Sequence, residues 1–265
     1  MNFFLLIGKE FLNLFLKIFP IHHYYSIPVE NQKYLFRSVG LDRSLGLEAL
    51  NKVIKKEFSI TYDENNGMFS EHLVILSAIA QSKIKKINSV LEIGTFDGRT
   101  AVILNKLFPS ASITTVDLPD NDVEFTSTYR RNKSFSEFIN RRNNLLNSCS
   151  NIKFKKINSL NLVNCIKSFD VIFIDGAHGF PVIAMDVINA YRLCSEGGFV
   201  LIDDVFISGD CLDNDYKSIG GFRSLSALKS AKLIKNFILF NKRLGGKYNL
   251  SGEKKYVGFF RKNKI

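Results

Sequence analysis

Cysteine is scarce and scattered. The four thiols, Cys149, Cys165, Cys194 and Cys211, stand 16, 29 and 17 residues apart, so neither a Cys-x-x-Cys nor a Cys/His zinc pattern can be drawn, and a zinc finger is excluded. A disulfide framework is missing too, and 265 residues bury a core without one. A reducing, cytoplasmic compartment is the expectation. Long apolar runs are also lacking, for none approaches the ~20 residues of a bilayer span. There is no internal repeat and no low-complexity tract. What is present is a globular balance, 46% hydrophobic and 23% charged, which excludes a disordered or fibrous chain. Acidic residues are the minority charge, 25 against 36 Lys and Arg, and the resulting +11 favours anionic surfaces, nucleic acid or phosphorylated substrates without choosing among them.

The first 21 residues are apolar, with Phe3, Phe4, Leu5, Leu6, Ile7, Phe11, Leu12, Leu14, Phe15, Leu16, Ile18 and Phe19 interrupted by Lys9, Glu10 and Lys17. Lys9, Asn13 and Lys17 recur every fourth residue and draw one polar stripe on a greasy helix. Three readings stay open: a helix docked on its own domain or on a second copy in a homo-oligomer, an interfacial helix on the inner face of a membrane, and a signal-like anchor. A cleaved signal fits poorly, since no Lys or Arg precedes the apolar stretch and no small-residue site follows it. His22 and His23 follow Pro20 in a linker and read as solvated. Residues 1–66 form an amphipathic helix and a helical lead-in, closed by the turn-like Asp63-Glu64-Asn65-Asn66-Gly67, and residues 67–265 form the main domain.

From Met68 the rhythm changes. Ser70-Glu71 can cap a helix through His72, Leu73, Ile75, Leu76 and Ile79. Short apolar runs at 89–93, 112–117, 152–157, 169–175 and 199–203 then alternate with helical stretches at 100–107, 135–146 and 182–193. That alternation predicts an α/β fold, a parallel sheet with helices on both faces. The last runs, 234–240 and 256–261, are separated by Gly245, Gly246 and Gly252 without a helical pattern and predict an antiparallel pair at the sheet edge.

In such a sheet the ligand lies beyond the carboxyl ends of the strands, where strand order reverses. The first run continues as Glu92-Ile93-Gly94-Thr95-Phe96-Asp97-Gly98-Arg99-Thr100. Gly94 and Gly98 let backbone approach a ligand closely. A dinucleotide fingerprint wants G-x-G-x-x-G, but Phe96 takes the middle glycine and Asp97 would repel phosphate. An acidic turn suits a cationic ligand without phosphates, and S-adenosylmethionine is one. Asp117, 25 residues after Glu92, ends the second run where a carboxylate can take both ribose hydroxyls.

These residues make the sequence similar to the class I S-adenosylmethionine-dependent methyltransferases, from about Met68 to Arg261. The resemblance implies a Rossmann-like, seven-stranded, mostly parallel sheet with a last antiparallel strand from the 234–261 region. It also implies that Gly94, Thr95, Asp97 and Gly98 line the methionine part, with Asp117 on the ribose, Leu118 beside the adenine, and Asn158 and Ser159 near it.

Asp175-Gly176-Ala177-His178 closes the fourth run and Asp203-Asp204-Val205 the fifth, so three carboxylates and an imidazole meet beside the methyl donor. Hard oxygen ligands suit Mg²⁺, a bound ion would activate a substrate hydroxyl, and His178 has a suitable pKa to take a proton. The set resembles the metal-dependent O-methyltransferases, in which an acidic residue ends the fourth strand and an Asp-Asn or Asp-Asp pair the fifth. Asp175, Asp203 and Asp204 fall on the metal positions. His178 stands where the catechol type has a lysine, which favours the sugar-modifying branch and a carbohydrate or other small-molecule acceptor. A metal-free site remains the alternative. A nucleic-acid methyltransferase is the first rival, favoured by charge, although the Asn/Asp-Pro-Pro-aromatic turn of amino-methylating members is replaced here by Asp175 to His178. A non-catalytic cofactor-binding domain is the second. His72 is expected near the cofactor by position only. Arg130, Arg131, Lys133, Arg141 and Arg142 are expected to form a solvated face or to recognise an anionic substrate group. Residues 206–222 and the first 66 are expected to shape the acceptor pocket.

Overall fold

The computed structural model describes residues 28–63, 69–127, 134–209, 218–245 and 254–263. The apolar segment 1–21, His22, His23, Arg130, Arg131, Lys133 and Cys211 lie outside these residues. Helices α1 (Val29–Ser38), α2 (Arg43–Phe58) and α3 (Glu71–Gln81) come first. They are followed by β1 (Ser89–Ile93), α4 (Arg99–Leu107), β2 (Ser112–Asp117), α5 (Val123–Ser127), α6 (Phe135–Asn147), β3 (Ile152–Lys156) and a 3-10 segment (Ser159–Asn164). The chain continues through β4 (Phe169–Ile174), α7 (Val182–Leu193), β5 (Cys194–Val205), α8 (Gly220–Ser230), β6 (Ile238–Asn241) and β7 (Tyr256–Arg261). Among the described residues no helix is long and apolar enough to cross a membrane.

The seven strands form one sheet in the order β3-β2-β1-β4-β5-β7-β6. The first five pair in parallel, and β7 enters antiparallel between β5 and β6. β4 reads Phe-Asp-Val-Ile-Phe-Ile and is buried along its whole length, which is what a central parallel strand covered on both faces requires. Alternation then divides the core. Val171 and Phe173, with Phe199 and Leu201 of β5, join the cluster under α1 to α4. Ile172 and Ile174, with Val200 and Ile202, face α7 and α8.

The helical lead-in is more tightly joined to the domain than its periodicity alone suggests. Phe36, Leu41, Leu50 and Ile54 sit in the same buried cluster as Val74 and Phe173. Arg43 makes two hydrogen bonds to the fully buried Glu71, from Nη2 to Oε1 and from Nε to Oε2 at 2.9 Å. Gln32 Nε2 donates to Glu71 Oε2 at 3.2 Å and to the Asn241 carbonyl at 3.0 Å. Ser70 precedes α3 as expected but supplies no side-chain cap, because its hydroxyl is bonded to His72 Nδ1 at 2.6 Å.

The amino ends of the central strands are tied by Asp170. Its Oδ2 accepts from the Asn88 and Ser89 amides and its Oδ1 from Ser195 Oγ. Burial alone would raise this carboxyl, but those donors and Lys85 hold it below the usual range. β5 begins five residues earlier than its apolar run, because Cys194 still pairs with Phe169 across an irregularity.

Candidate active site

The carboxyl ends of β1, β2 and β4 meet where the strand order reverses, and the Gly94 turn occupies that point. Gly94 has φ +100°, donates its amide to the Val116 carbonyl at 2.9 Å, and lies against the backbone of Asp175. Asp175 in turn donates its amide to the Ile93 carbonyl at 2.8 Å. The glycine turn and the Asp175–His178 turn are therefore in contact.

Asp117 organises this point. Its Oδ2 accepts from the Phe96 amide at 2.8 Å, pinning a residue at φ +49°, and its Oδ1 accepts from the Leu118 amide at 2.9 Å. Glu92 is fully buried, and Thr115 Oγ1 donates to its Oε2 at 2.5 Å while also meeting Thr95 Oγ1 at 2.6 Å. Burial pushes the Glu92 carboxyl up to about 8; the Thr115 hydrogen bond opposes this, and the charges of Asp117 and Asp97 add to it. Asp97 is half-occupied by its own helix, since Oδ1 accepts from the Arg99 amide at 3.1 Å and Oδ2 pairs with Arg99 Nε at 3.2 Å. Gly98 opens α4 at φ +82°.

Asn158 caps the 3-10 segment by accepting from the Leu160 amide at 2.9 Å, and Ser159 stands beside Asp186 of α7. Asp186 is fully buried, and burial pushes it up to about 7. Sequence reasoning passed over it because it occupies a helix interior.

The second half of the site is built from β4, β5 and the end of β6. Adjacent residues of a regular strand face opposite sides, yet Asp203 and Asp204 both reach one cation. A pairing irregularity between Ile202 and Val205, with Asp204 at φ +50°, turns them together. Lys242 Nζ donates to Asp203 Oδ2 at 2.6 Å and to Asp204 Oδ1, and Lys255 Nζ donates to Asp204 Oδ2 at 2.9 Å. Asp203 Oδ1 stands 3.8 Å from His72 Nδ1, and His178 Nε2 stands 3.7 Å from Asp175 Oδ1.

Charge in this pocket balances internally. Burial, then the neighbouring charge of Asp203, push the Asp175 carboxyl well above its ordinary range. For Asp203, burial is outweighed chiefly by the Lys242 ammonium, so it stays ionised. Burial pulls the Lys242 ammonium down, and the three carboxylates more than offset it. The Asp203 and Asp204 carboxylates thus face the Lys242 and Lys255 ammonium groups. Burial also lowers His178, against the pull of Asp204 and Asp203, and brings His72 down to about 4. Both imidazoles are neutral at pH 7.

The carboxylates expected to hold Mg²⁺ do not fit the ion as they stand. Lys242 Nζ lies between Asp203 and Asp204 where a shared cation would lie, and its charge satisfies them. Among the described residues no three His, Cys, Asp or Glu side chains are grouped to hold a metal ion. Lys242 is the residue of this pocket that sequence reasoning missed. Reading the strand ends for bases as well as acids would have found it, one residue past β6.

His72 is more involved than its expected role. Its ring stacks on Phe173 at 5.1 Å between centroids and faces Asp203. The basic cluster also needs correction. Arg141 is exposed, but Arg142 is buried, donates to Asp120 Oδ1 at 2.8 Å, and lies over the Phe154 ring at 4.6 Å. It is neither a solvated face nor an open anion site. With Lys156 on Asp120 Oδ2 at 2.6 Å, it fixes the segment after Asp117.

A family profile described as "Methyltransferase domain" matches residues 91–205, the stretch from β1 to the end of β5. By this match the chain carries a methyltransferase domain over those residues. Solved structures at a TM-score of 0.50 share its fold. The O-methyltransferase TomG of Streptomyces achromogenes, involved in tomaymycin synthesis and solved with SAM, is 16% identical over 88% of this chain and 96% of that one, with a TM-score of 0.50. The N-methyltransferase NodS of Bradyrhizobium japonicum WM9, solved with S-adenosyl-L-homocysteine, is 14% identical over 83% of this chain and 100% of that one, at 0.50. An O-methyltransferase family protein of Burkholderia thailandensis is 12% identical over 72% of this chain at 0.44, and the chain spans about half of its length, 55%. No curated protein matches the sequence.

Proposed function

We propose that this methyltransferase moves the methyl group of S-adenosylmethionine to a hydroxyl of a carbohydrate or other small molecule. The contact between the Gly94 turn and the Asp175–His178 turn carries the reading, because it sets a cofactor cradle beside a base. The cradle fits the cofactor: a glycine turn without a Cβ at its closest approach, three carboxyl groups converging on it, and Asp117 at the ribose position, with Gly94, Thr95, Asp97, Gly98, Leu118, Asn158 and Ser159 around it. SAM and S-adenosyl-L-homocysteine in the two neighbours above support the same choice. When bound, the cofactor supplies an electrophilic methyl on a sulfonium.

The chain's own residues supply position and a proton acceptor. His178 is neutral because it is buried, so it accepts the hydroxyl proton as the oxygen gains its methyl group. Asp175, 3.7 Å away, faces the imidazolium that results. The products are the methyl ether, S-adenosylhomocysteine and a proton on His178. A panel of carbohydrate and small-molecule alcohols, assayed with methyl-labelled S-adenosylmethionine, tests this. Label is expected in ether linkage, and His178→Ala is expected to lower kcat by about 10² to 10⁴, the size of a general-base contribution. Label in RNA instead, or full turnover by His178→Ala, refutes the reading.

A further inference from the structure

We infer that Lys242 is a built-in replacement for a divalent cation, and that removing its ammonium converts the Asp203–Asp204 pocket into a divalent-metal site. The ammonium bridges two carboxylates that belong to adjacent residues, and they face it together only because β5 is irregular there and Asp204 adopts a left-handed backbone. A non-glycine residue held at positive φ marks a conformation that its surroundings impose. Here the imposed conformation gathers two oxygens around one cation.

The cation itself is equally fixed. The Lys242 amide donates to the Lys255 carbonyl at 3.1 Å, and its carbonyl accepts from the Glu71 amide at 2.9 Å. Glu71 is fully buried and held by Arg43 and Gln32, and Gln32 also bonds Asn241 through its carbonyl and its amide. The side chain of Lys242 is 12% exposed. So the backbone that carries Lys242 is held by α1, by α3 and by the residue before β7, and its largely buried side chain is not a surface lysine that has fallen onto an acidic patch. Asp203 Oδ1, on a residue 3% exposed, faces His72 Nδ1 at 3.8 Å and is the oxygen left over when Lys242 has taken Oδ2.

Deleting the Lys242 ammonium would leave the buried Asp203 carboxylate without its ammonium partner and Asp204 with Lys255 alone, which is costly unless a cation enters. A hard divalent ion meets the oxygens and keeps waters for its remaining positions. Lys242 is a positioning residue on this account, acting through Asp203 and Asp204 on His178 and Asp175. Its consequence for turnover rests on the methyl-transfer reading, whereas its test is read from ion binding, so the two fail separately.

The probe is Mn²⁺ alone, titrated into the full chain while the free aquo-ion is followed by electron paramagnetic resonance. The native protein and Lys242→Arg are expected to bind no Mn²⁺ at this pocket. Lys242→Ala and Lys242→Met are expected to bind one ion per chain at least about tenfold more tightly than the native chain, and Asp203→Asn placed on either is expected to abolish it. The thermal midpoint of the two neutral variants should rise with Mn²⁺ and that of the native protein should not. Should both neutral variants fail to fold without the ion, folding restored by Mn²⁺ supports the proposal, and failure to fold with Mn²⁺ overturns it. One Mn²⁺ bound by the native chain and lost in Asp203→Asn also overturns it, as does the absence of any gain in the folded variants.

Discussion

Gly94→Ala tests the joint on which both halves of the site depend. Two costs add at this position. First, φ is +100°, outside what an L-residue adopts readily; left-handed backbone costs such a residue about 1–2 kcal/mol. Second, the new Cβ would fall onto the Asp175 carbonyl, 2.5 Å from its carbon and 2.8 Å from the Gly176 nitrogen, where ordinary contact begins at 3.4 Å. Backbone cannot rotate away as a side chain can. The ends of β1 and β4 must separate, although the Asp175 amide holds the Ile93 carbonyl at 2.8 Å; forced overpacking of this kind costs about 1–3 kcal/mol. Together they predict a loss of about 2–5 kcal/mol. Gly98→Ala is the control. It has φ +82°, but its Cβ would first meet Leu146 Cδ2 at 3.0 Å, the movable end of a side chain, so only the backbone cost of about 1–2 kcal/mol applies. Urea unfolding followed by far-ultraviolet circular dichroism measures both. If Gly94→Ala is as stable as the native protein, or loses less than Gly98→Ala, the close approach of the two turns is wrong.

Asp117→Ala removes the proposed ribose ligand and releases the Phe96 and Leu118 amides; S-adenosylmethionine affinity is expected to fall by about 1.5–3 kcal/mol, the range for hydrogen bonds to a charged group. Calorimetry showing equal affinity contradicts this. Glu92 gives a pH dependence of stability. Its folded carboxyl, pushed up to about 8 from an ordinary 4.5, binds a proton that the unfolded chain has released, so its contribution is complete below pH 4.5 and is lost as pH rises to about 8. The slope approaches about 1.4 kcal/mol per pH unit within that window. Glu92→Gln should flatten it, and parallel stability curves for the two proteins from pH 5 to 8 would remove the assignment.

The strands whose composition reflects burial were legible. β4 is apolar except for Asp170, and its ends are punctuated by aspartates, so both its limits and the site at its carboxyl end could be read from spacing alone. The glycine turn was legible for a similar reason, since the backbone geometry there selects residue types. The start of β5 was not, because Ser195-Glu196-Gly197-Gly198 has the composition of a turn and is held in the sheet by pairing to β4 and β7. α8 begins with two glycines that face Ile183, and they fall in the 206–222 stretch whose composition shows no helical pattern. Lys242 was hidden more deeply. It lies 39 residues from Asp203, and only the reversal of the chain through β7 brings the two together. The carboxylates could be seen to converge, whereas the cation that joins them depended on strand order.

The late position of β7 also gives the molecule a timetable. Ile202 of β5 pairs with Gly258, 56 residues further along, so as the chain leaves the ribosome the five parallel strands can assemble while one side of β5 is still open. An open edge of Val200, Leu201 and Ile202 invites pairing with other chains. Asp203 and Asp204 stand at the end of that edge, and until Lys242 and β7 arrive their charges are uncompensated. The same two residues that bind the ammonium in the finished protein guard the unfinished sheet, and closing the fold and neutralising the pocket become one event.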